Sequence, residues 1–179
     1  MTDRHSKFWH FARESKYTVP PWSESDTAYI AGIIDGEGCI GIYHYKSRSS
    51  IHPVISVTNT SKALIDWICL MLGLPSGKYV AHCQAGCRQW YTTKTGPMQQ
   101  TYEVATRVLP YLRVKRKQAE LLIRYCDWRR LVELNGRDTR GRIAGFSPDQ
   151  RAYINDILAE IRQLNRKGTP ISTGKPDMI

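Results

Sequence analysis

The stretch "AYIAGIIDGEGCIGIY", Ala28 to Tyr43, changes its periodicity in the middle and decides the fold. Its first half places small and apolar residues at helical spacing, and its second half alternates as a β-strand does. At the junction, Asp35 and Glu37 lie between glycines. Because a helix C-terminus carries a partial negative charge, carboxylates there cost stability unless a cation binds. The stretch therefore predicts a helix that ends at an acidic site and leads into a strand.

A strip of small residues runs along the predicted helix. Ala28, Gly32 and Gly36 recur every four residues, with Ala31 beside them. Such a strip lets two helix backbones approach closely. One interpretation is a helix packed tightly on its own core. The other is a pair of identical helices about a symmetry axis, which would bring two Glu37 carboxylates together and favour a divalent cation, with the Gly36 carbonyl oxygen as a further ligand.

The charge balance of the chain indicates a polyanionic partner. Its 179 residues include 26 Lys and Arg against 16 Asp and Glu, which gives a net charge of +10 and a pI near 9.5. A basic protein can bind nucleic acid or a membrane surface. No segment approaches the roughly 18 apolar residues of a membrane span, and the basic residues are not collected on one short amphipathic helix. Nucleic acid is therefore the favoured partner, and neither a membrane nor a small-molecule cofactor is expected.

The N-terminus and the cysteines indicate the compartment. Residues 1–17 lack the apolar core of a secretory signal, while an organelle transit peptide stays open. The five cysteines are odd in number and scattered through apolar segments, which favours reduced thiols. We therefore expect an intracellular protein, in the cytoplasm of a microbe or in the matrix of a chloroplast or mitochondrion.

Periodicity divides the chain into three regions. Residues 1–22 are interpreted as an N-terminal extension, 23–168 as one domain and 169–179 as a mobile tail. The domain begins with a helix that Ser23 caps, and its strands form two hairpins. The predicted strands are "CIGIYHYKSR", "HPVISVTNT", "GKYVAHC" and "QQTYEVAT". The order α-β-β-α-β-β-α, followed by further helices, predicts an α+β fold in which helices cover one face of an antiparallel four-stranded sheet saddle.

The sheet face turned away from the helices is predicted to bind DNA. In the first hairpin, alternation places Ile40, Ile42 and Val57 inward and polar or aromatic residues outward. A ribbon of this kind fits the major groove. The residues predicted to read bases are Tyr43, Tyr45, Ser47, Ser56, Thr58, Gln99 and Thr101. Arg48 and His52 are also predicted to bind DNA. The basic residues predicted to hold the DNA are Arg113, Arg116, Lys117, Arg137, Arg140 and Arg142.

Two segments resemble a known family. "IAGIIDGEG", residues 30–38, resembles the motif of the LAGLIDADG homing endonucleases. It matches that motif at Ala31, Gly32, Ile34, Asp35 and Gly38. "LPYLRVKRKQAELL", residues 109–122, resembles the segment that follows the sheet in the single-motif subfamily. The resemblance covers about residues 23 to 168.

The resemblance implies a site-specific endonuclease that cuts double-stranded DNA by metal-dependent hydrolysis. One copy of the motif implies a homodimer, with Ala28, Ala31, Gly32 and Asp35 at the interface between two motif helices. Two-fold symmetry in turn implies a long, partly palindromic target. The family cuts across the minor groove and leaves short 3′ overhangs.

The resemblance also assigns roles within the active site. Glu37 aligns with the acid that binds Mg²⁺ and positions water, beside the Gly36 carbonyl, and Mn²⁺ or Ca²⁺ could substitute in binding. Lys115 aligns with the basic residue near the scissile phosphate. Asn59 aligns with a glutamine that commonly holds the metal-bound water. The family often has a basic residue early in the next helix; Ala63 stands where that residue is first sought, so Lys62 or a neighbour would take the role.

Two other functions stay open at this point. The chain could be a DNA-binding protein or an RNA-splicing maturase that kept the fold and lost cleavage. It could also be a non-enzymatic RNA-binding module, with Tyr43 and Tyr45 stacking on bases. The second alternative leaves the acids at the helix end without a purpose.

Overall fold

A computed structural model describes residues 18–45, 50–135 and 146–166. The elements in chain order are α1 (Glu24–Glu37), β1 (Gly38–Tyr45), β2 (Ser50–Asn59), α2 (Lys62–Met71), β3 (Val80–His82), β4 (Trp90–Lys94), α3 (Met98–Val108), α4 (Arg116–Asn135) and α5 (Pro148–Leu164). The four strands form one antiparallel sheet in the order β1-β2-β4-β3. The predicted α+β class and element order are confirmed. Among the described residues, no helix combines the length and apolar character that a membrane crossing requires.

Helix α1 begins and ends as the sequence predicts. The Ser23 hydroxyl accepts a hydrogen bond of 3.1 Å from the backbone N–H of Asp26 and caps the N-terminus. At the other end, the Gly38 N–H donates to the Ile34 carbonyl. A Cβ on Gly38 would lie 2.7 Å from the backbone of Ile34, so only glycine fits here. Helix α1 therefore passes into β1 at the next residue.

The core lies between the helices and one face of the sheet. The inward residues of β1 and β2 include Ile40, Ile42 and Ile55, all buried. The helices cover them with side chains such as Ile34 from α1 and Leu122 from α4. On the opposite face of the sheet, the described polar and aromatic side chains are partly or fully exposed. No described helix therefore covers them.

The fourth strand lies earlier in the chain than predicted. The segment "QQTYEVAT", predicted to be a strand, lies inside α3, and "WYTTK" forms β4 instead. Aromatic and β-branched residues suit "WYTTK" to a sheet. In α3, the buried positions Thr101, Val104, Ala105 and Val108 have helical spacing, which the short alternation within the segment conceals.

This shift corrects two predicted DNA-reading residues. Thr101 is fully buried, and its hydroxyl is 2.8 Å from the Thr95 hydroxyl. Gln99 is half-buried on α3, on the helical side of the sheet. Neither residue lies on the face predicted to bind DNA, because both belong to a helix that packs against β2.

Gly73, which follows α2, provides a test of the fold. It ends the helix with a φ of +66°, and the Leu74 N–H donates to the Cys69 carbonyl at 2.8 Å, as in a Schellman motif. A Cβ here would also overlap the Thr18 carbonyl. We expect Gly73→Ala to destabilise the fold by about 1–3 kcal/mol more than Gly77→Ala. Gly77 is the matched control, since its φ is +78° and a Cβ there would meet no atom of residues 18–45, 50–135 and 146–166 within 4 Å.

Urea unfolding of the two variants measures the difference. Both substitutions carry the cost of a left-handed alanine, about 1–2 kcal/mol, so their difference isolates the overlap with Thr18. Equal free energies of unfolding would mean that the segment before α1 does not pack against Gly73.

Candidate nucleic-acid interface and catalytic end

The uncovered face of the sheet presents a mixed polar and aromatic surface, here called the outer face. Strand pairing places Tyr43 opposite His52, and Ser56 between Cys39 on one side and Lys94 on the other. Tyr43 and His52 are exposed, as predicted. The described residues of the outer face are Cys39, Gly41, Tyr43, His52, Val54, Ser56, Thr58, Val80, His82, Trp90, Thr92 and Lys94.

The Tyr43 ring lies close to Gly41 and Cys39 on this surface. A Cβ on Gly41 would lie 3.1 Å from the Tyr43 ring, so the ring lies over the glycine. The Tyr43 hydroxyl is 3.6 Å from the Cys39 sulfur. An exposed aromatic ring of this kind gives the outer face an apolar surface with a polar hydroxyl.

Sequence reasoning missed the part of the outer face that β3 and β4 supply. Lys94 is exposed next to Ser56, and Thr92 bonds Thr58 through their hydroxyls at 2.9 Å. His82 and Trp90 stack with ring centroids 5.4 Å apart. The β-branched and aromatic composition of "WYTTK" was the available signal.

Five of the predicted DNA-binding residues, Ser47, Arg48, Arg137, Arg140 and Arg142, lie outside the described residues. So do residues 1–17 and 167–179, which include most of the predicted extension and all of the predicted tail. Tyr45 belongs to β1 by its backbone, where it pairs with Ser50.

The end of α1 presents an exposed carboxylate and an open strip. Glu37 is exposed and has no hydrogen-bond or ion-pair partner among residues 18–45, 50–135 and 146–166. Ala28, Gly32 and Gly36 are exposed, and a Cβ on either glycine would meet no heavy atom of the described residues within 4 Å. Ala31, by contrast, is fully buried in its own subunit. The predicted place of Ala31 at a dimer interface is therefore wrong, because its side chain faces the core.

Asp35 connects α1 to the start of α4. Its carboxylate accepts hydrogen bonds from three successive backbone N–H groups: Arg113 at 2.7 Å, Val114 at 3.2 Å and Lys115 at 2.9 Å. The Lys115 ammonium in turn donates to the Asp35 backbone carbonyl. The Asp35 carboxylate is thus used within the subunit, and its predicted place at a dimer interface stays a prediction. Lys115, predicted to be catalytic, is placed at the same helix end as Glu37.

Asn59 and Lys62 lie at the same end of the sheet. Gly38 pairs with Val57, so Asn59 ends β2 beside the junction of α1 and β1. The Asn59 side-chain oxygen accepts a bond of 2.8 Å from the Ser61 N–H. The Lys62 ammonium is 2.7 Å from the Asp66 carboxylate, and this hydrogen bond raises the pKa of Lys62 above its ordinary value. Their active-site roles stay predictions.

The basic residues near the start of α4 are available to phosphates. Arg113, Arg116 and Lys117 are exposed. Arg116 pairs with Glu120 at 3.2 Å, but both side chains are more than half exposed, and such a pair contributes little. These cations lie next to Lys115 in sequence, and the Lys115 ammonium contacts the end of α1.

The donor atoms at the end of α1 suit a hard divalent cation. Glu37 offers a carboxylate and Gly36 a backbone carbonyl, and oxygen ligands are those that Mg²⁺ and Ca²⁺ prefer. Within the described ranges, no cluster of three or more His, Cys, Asp or Glu residues could hold a metal. One subunit thus offers an incomplete ligand set, which a second subunit and DNA phosphates could complete.

Comparison with known proteins identifies the fold. No protein-family model matches the sequence, and the curated proteins give no match. Among solved structures, homing endonuclease I-CvuI in complex with its target aligns with a TM-score of 0.55 and 18% identity over 82% of this chain and 87% of that chain. The archaeal intron-encoded I-Vdi141I, in complex with DNA, gives 0.56 and 16% over 82% and 87%. The group I intron-encoded I-CeuI, also in complex with DNA, gives 0.56 and 14% over 87% and 72%.

The chain therefore has the fold of the LAGLIDADG homing endonucleases, as its motif predicted. At these identities the likeness establishes the fold, and the function has to be argued from the site.

Proposed function

We propose that this protein is a site-specific endonuclease of double-stranded DNA that acts as a homodimer. The observation that carries the proposal is the end of α1. There the exposed Glu37 carboxylate, without a partner in the part of the chain that the structure describes, lies at the end of an open strip of small residues and beside Lys115. Related folds with 14–18% identity have been solved in complex with DNA targets, which supports nucleic acid as the substrate.

The open strip on α1 fits a second copy of itself. Ala28, Gly32 and Gly36 lie on one face, and no described residue occupies the space above either glycine. A symmetric helix pair would bury this face and bring the two Glu37 carboxylates near one axis. Each subunit's outer face would then contact one half of the target.

The cleavage chemistry needs charge neutralisation at the phosphate and an activated water. A bound Mg²⁺ would supply Lewis-acid polarisation and a more acidic water, and Glu37 with the Gly36 carbonyl would hold it. Lys115 would stabilise negative charge that develops on the phosphate. Its ammonium needs no deprotonation for this role.

A cleavage selection tests the proposal. A randomised duplex library is incubated with the protein and Mg²⁺, and cut ends are captured and sequenced. A plasmid that carries the selected site should then be cut on both strands with Mg²⁺ and left intact with EDTA. If the library yielded no cut ends, while a duplex selected from it by binding was bound specifically and left uncut, the proposal would be contradicted and the DNA-binding or maturase alternative favoured.

The outer face gives a separate prediction about base readout. We expect Ser56→Ala or Lys94→Ala to relax preference at one base pair in each half-site, by about 1–3 kcal/mol per lost base contact. Lys117→Ala should weaken binding to all sequences alike and lower the salt slope by about one, because phosphate contacts carry no sequence information.

Binding titrations over single-base variants of the selected site, at two salt concentrations, measure both effects. If Lys117→Ala changed base preference while the two outer-face variants did not, the sheet would not be the reading surface.

A further inference from the structure

The contact between Asp35 and the start of α4 is unlike the other helix caps of this chain. Helices α1, α2 and α5 begin with the local serines Ser23, Ser61 and Ser147, whose hydroxyls accept from a residue three positions later. The segment before α4 instead gives its N–H groups to a carboxylate that lies 78 to 80 residues earlier. Successive backbone N–H groups that converge on one anion form a nest.

The contact is reciprocal, and both directions are electrostatically favourable. The Asp35 carboxylate lies at the N-terminus of α4, where negative charge is stabilised, and the Lys115 ammonium lies at the C-terminus of α1, where positive charge is stabilised. Lys115 is therefore held at two points by one residue: its backbone N–H by the Asp35 carboxylate, and its ammonium by the Asp35 carbonyl.

This double attachment fixes Lys115 relative to Glu37. Asp35 and Glu37 lie in the last turn of the same helix, so a group attached to Asp35 moves with Glu37. Without the carboxylate, the N–H groups of Arg113, Val114 and Lys115 would lose their common acceptor. The side chain of Lys115 would then lose the backbone anchor that directs it to the end of α1.

We propose that Asp35 is a positioning residue: its carboxylate sets the place of Lys115 beside Glu37 and does not itself touch substrate. The attachment of Lys115 is independent of any reaction, whereas its catalytic consequence rests on the proposed endonuclease function. Asparagine at this position could accept bonds through only one oxygen, so at least one of the three N–H groups would face an NH₂ group.

The first test measures the attachment directly. Lysines of the full chain are labelled with a trace of acetic anhydride, and the acetylation rates of Lys115 and Lys117 are compared by mass spectrometry. Lys117 is the internal reference, because it is exposed on the same turn. Lys115 should react more slowly than Lys117 in the wild type, and Asp35→Asn should raise the Lys115 rate alone. Equal effects on both lysines, or no effect, would overturn the proposal.

The second test measures whether Asp35 acts through Lys115. Single-turnover cleavage and DNA binding are compared for wild type, Asp35→Asn, Lys115→Ala and the double variant. We expect Asp35→Asn to slow cleavage about 100-fold, the size of effect that a misplaced catalytic group produces, with binding unchanged. In the Lys115→Ala background, Asp35→Asn should slow cleavage no further. Equal losses in both backgrounds would mean that Asp35 merely stabilises the fold.

Controls separate the remaining outcomes. Asp26→Asn makes the same change at the other end of α1, where Asp26 accepts a bond from Ser23, and should leave cleavage unchanged. If Asp35→Asn does not fold, Asp35→Glu keeps both oxygens, displaced by one methylene, and takes its place in both tests. If the wild type cuts no DNA, the proposed function fails, while the acetylation rates still decide the attachment of Lys115.

Discussion

Replacing Glu37 with glutamine is expected to abolish cleavage while leaving specific DNA binding largely intact. The carboxylate is exposed and has no partner among the described residues, so its removal should not disturb the fold. A metal site contributes several kcal/mol to hydrolysis, and a loss of about 4 kcal/mol slows the reaction about 1,000-fold. Binding could even tighten, because one negative charge near the phosphates is removed.

Single-turnover cleavage of the selected site and a binding titration on the same duplex measure the two effects. Glu24→Gln is the matched control, because Glu24 is exposed in the first turn of the same helix. This variant should cut at the wild-type rate. The assignment of the active site is wrong if Glu37→Gln cuts at the wild-type rate with Mg²⁺.

The second large effect concerns assembly. Gly32→Leu is expected to prevent dimerisation and, with it, cleavage of both strands. Within the part of the chain that the structure describes, no heavy atom lies within 4 Å of a Cβ at Gly32, so the leucine should not disturb the subunit itself. In a close helix pair, however, the added side chain would separate the two backbones.

Sedimentation velocity and thermal unfolding together test this prediction. The variant should sediment as a monomer with an intact folding transition. Ala159→Leu provides the control, because it adds a similar side chain at an exposed position of α5 and should remain dimeric. A Gly32→Leu protein that is still a tight dimer would mean that the strip faces solvent or another partner.

The first half of the fold could be predicted because its signals are local. The change of periodicity between Ile34 and Ile40, with Gly38 between them, is visible in the sequence and needs no distant contact. The pairing of Tyr43 with His52 on the outer face then follows from the short connection between β1 and β2. Local capping by Ser23 is equally visible.

The second half is harder to predict because its signals compete. Strand β4 is only five residues long. The segment "QQTYEVAT" alternates as a strand does, and it spans only about two helical turns, which is too short to show the helical period clearly. Only Val108, beyond that segment, completes the helical stripe that begins at Thr101. The error placed Gln99 and Thr101 on the outer face and hid Lys94.

The candidate site depends partly on contacts that no local pattern reveals. The strip of small residues on α1 indicates that another helix backbone can approach closely. It does not show that Ala31 is buried and Gly32 is exposed. The carboxylate of Asp35 finds its donors 78 to 80 residues away. These donors are brought to Asp35 by the packing of α1 against the rest of the subunit, so the spacing of residues in the sequence does not predict them.

The direct passage from α1 into β1 has a mechanical consequence. Glu37 ends the helix and Gly38 begins the strand, so the acid and the outer face are joined by one continuous stretch of backbone with no loop between them. In the proposed complex, a mismatched base pair that tilts the strand would therefore also displace the Glu37 carboxylate. Fidelity would then be enforced twice, once when the DNA is held and again when it is cut.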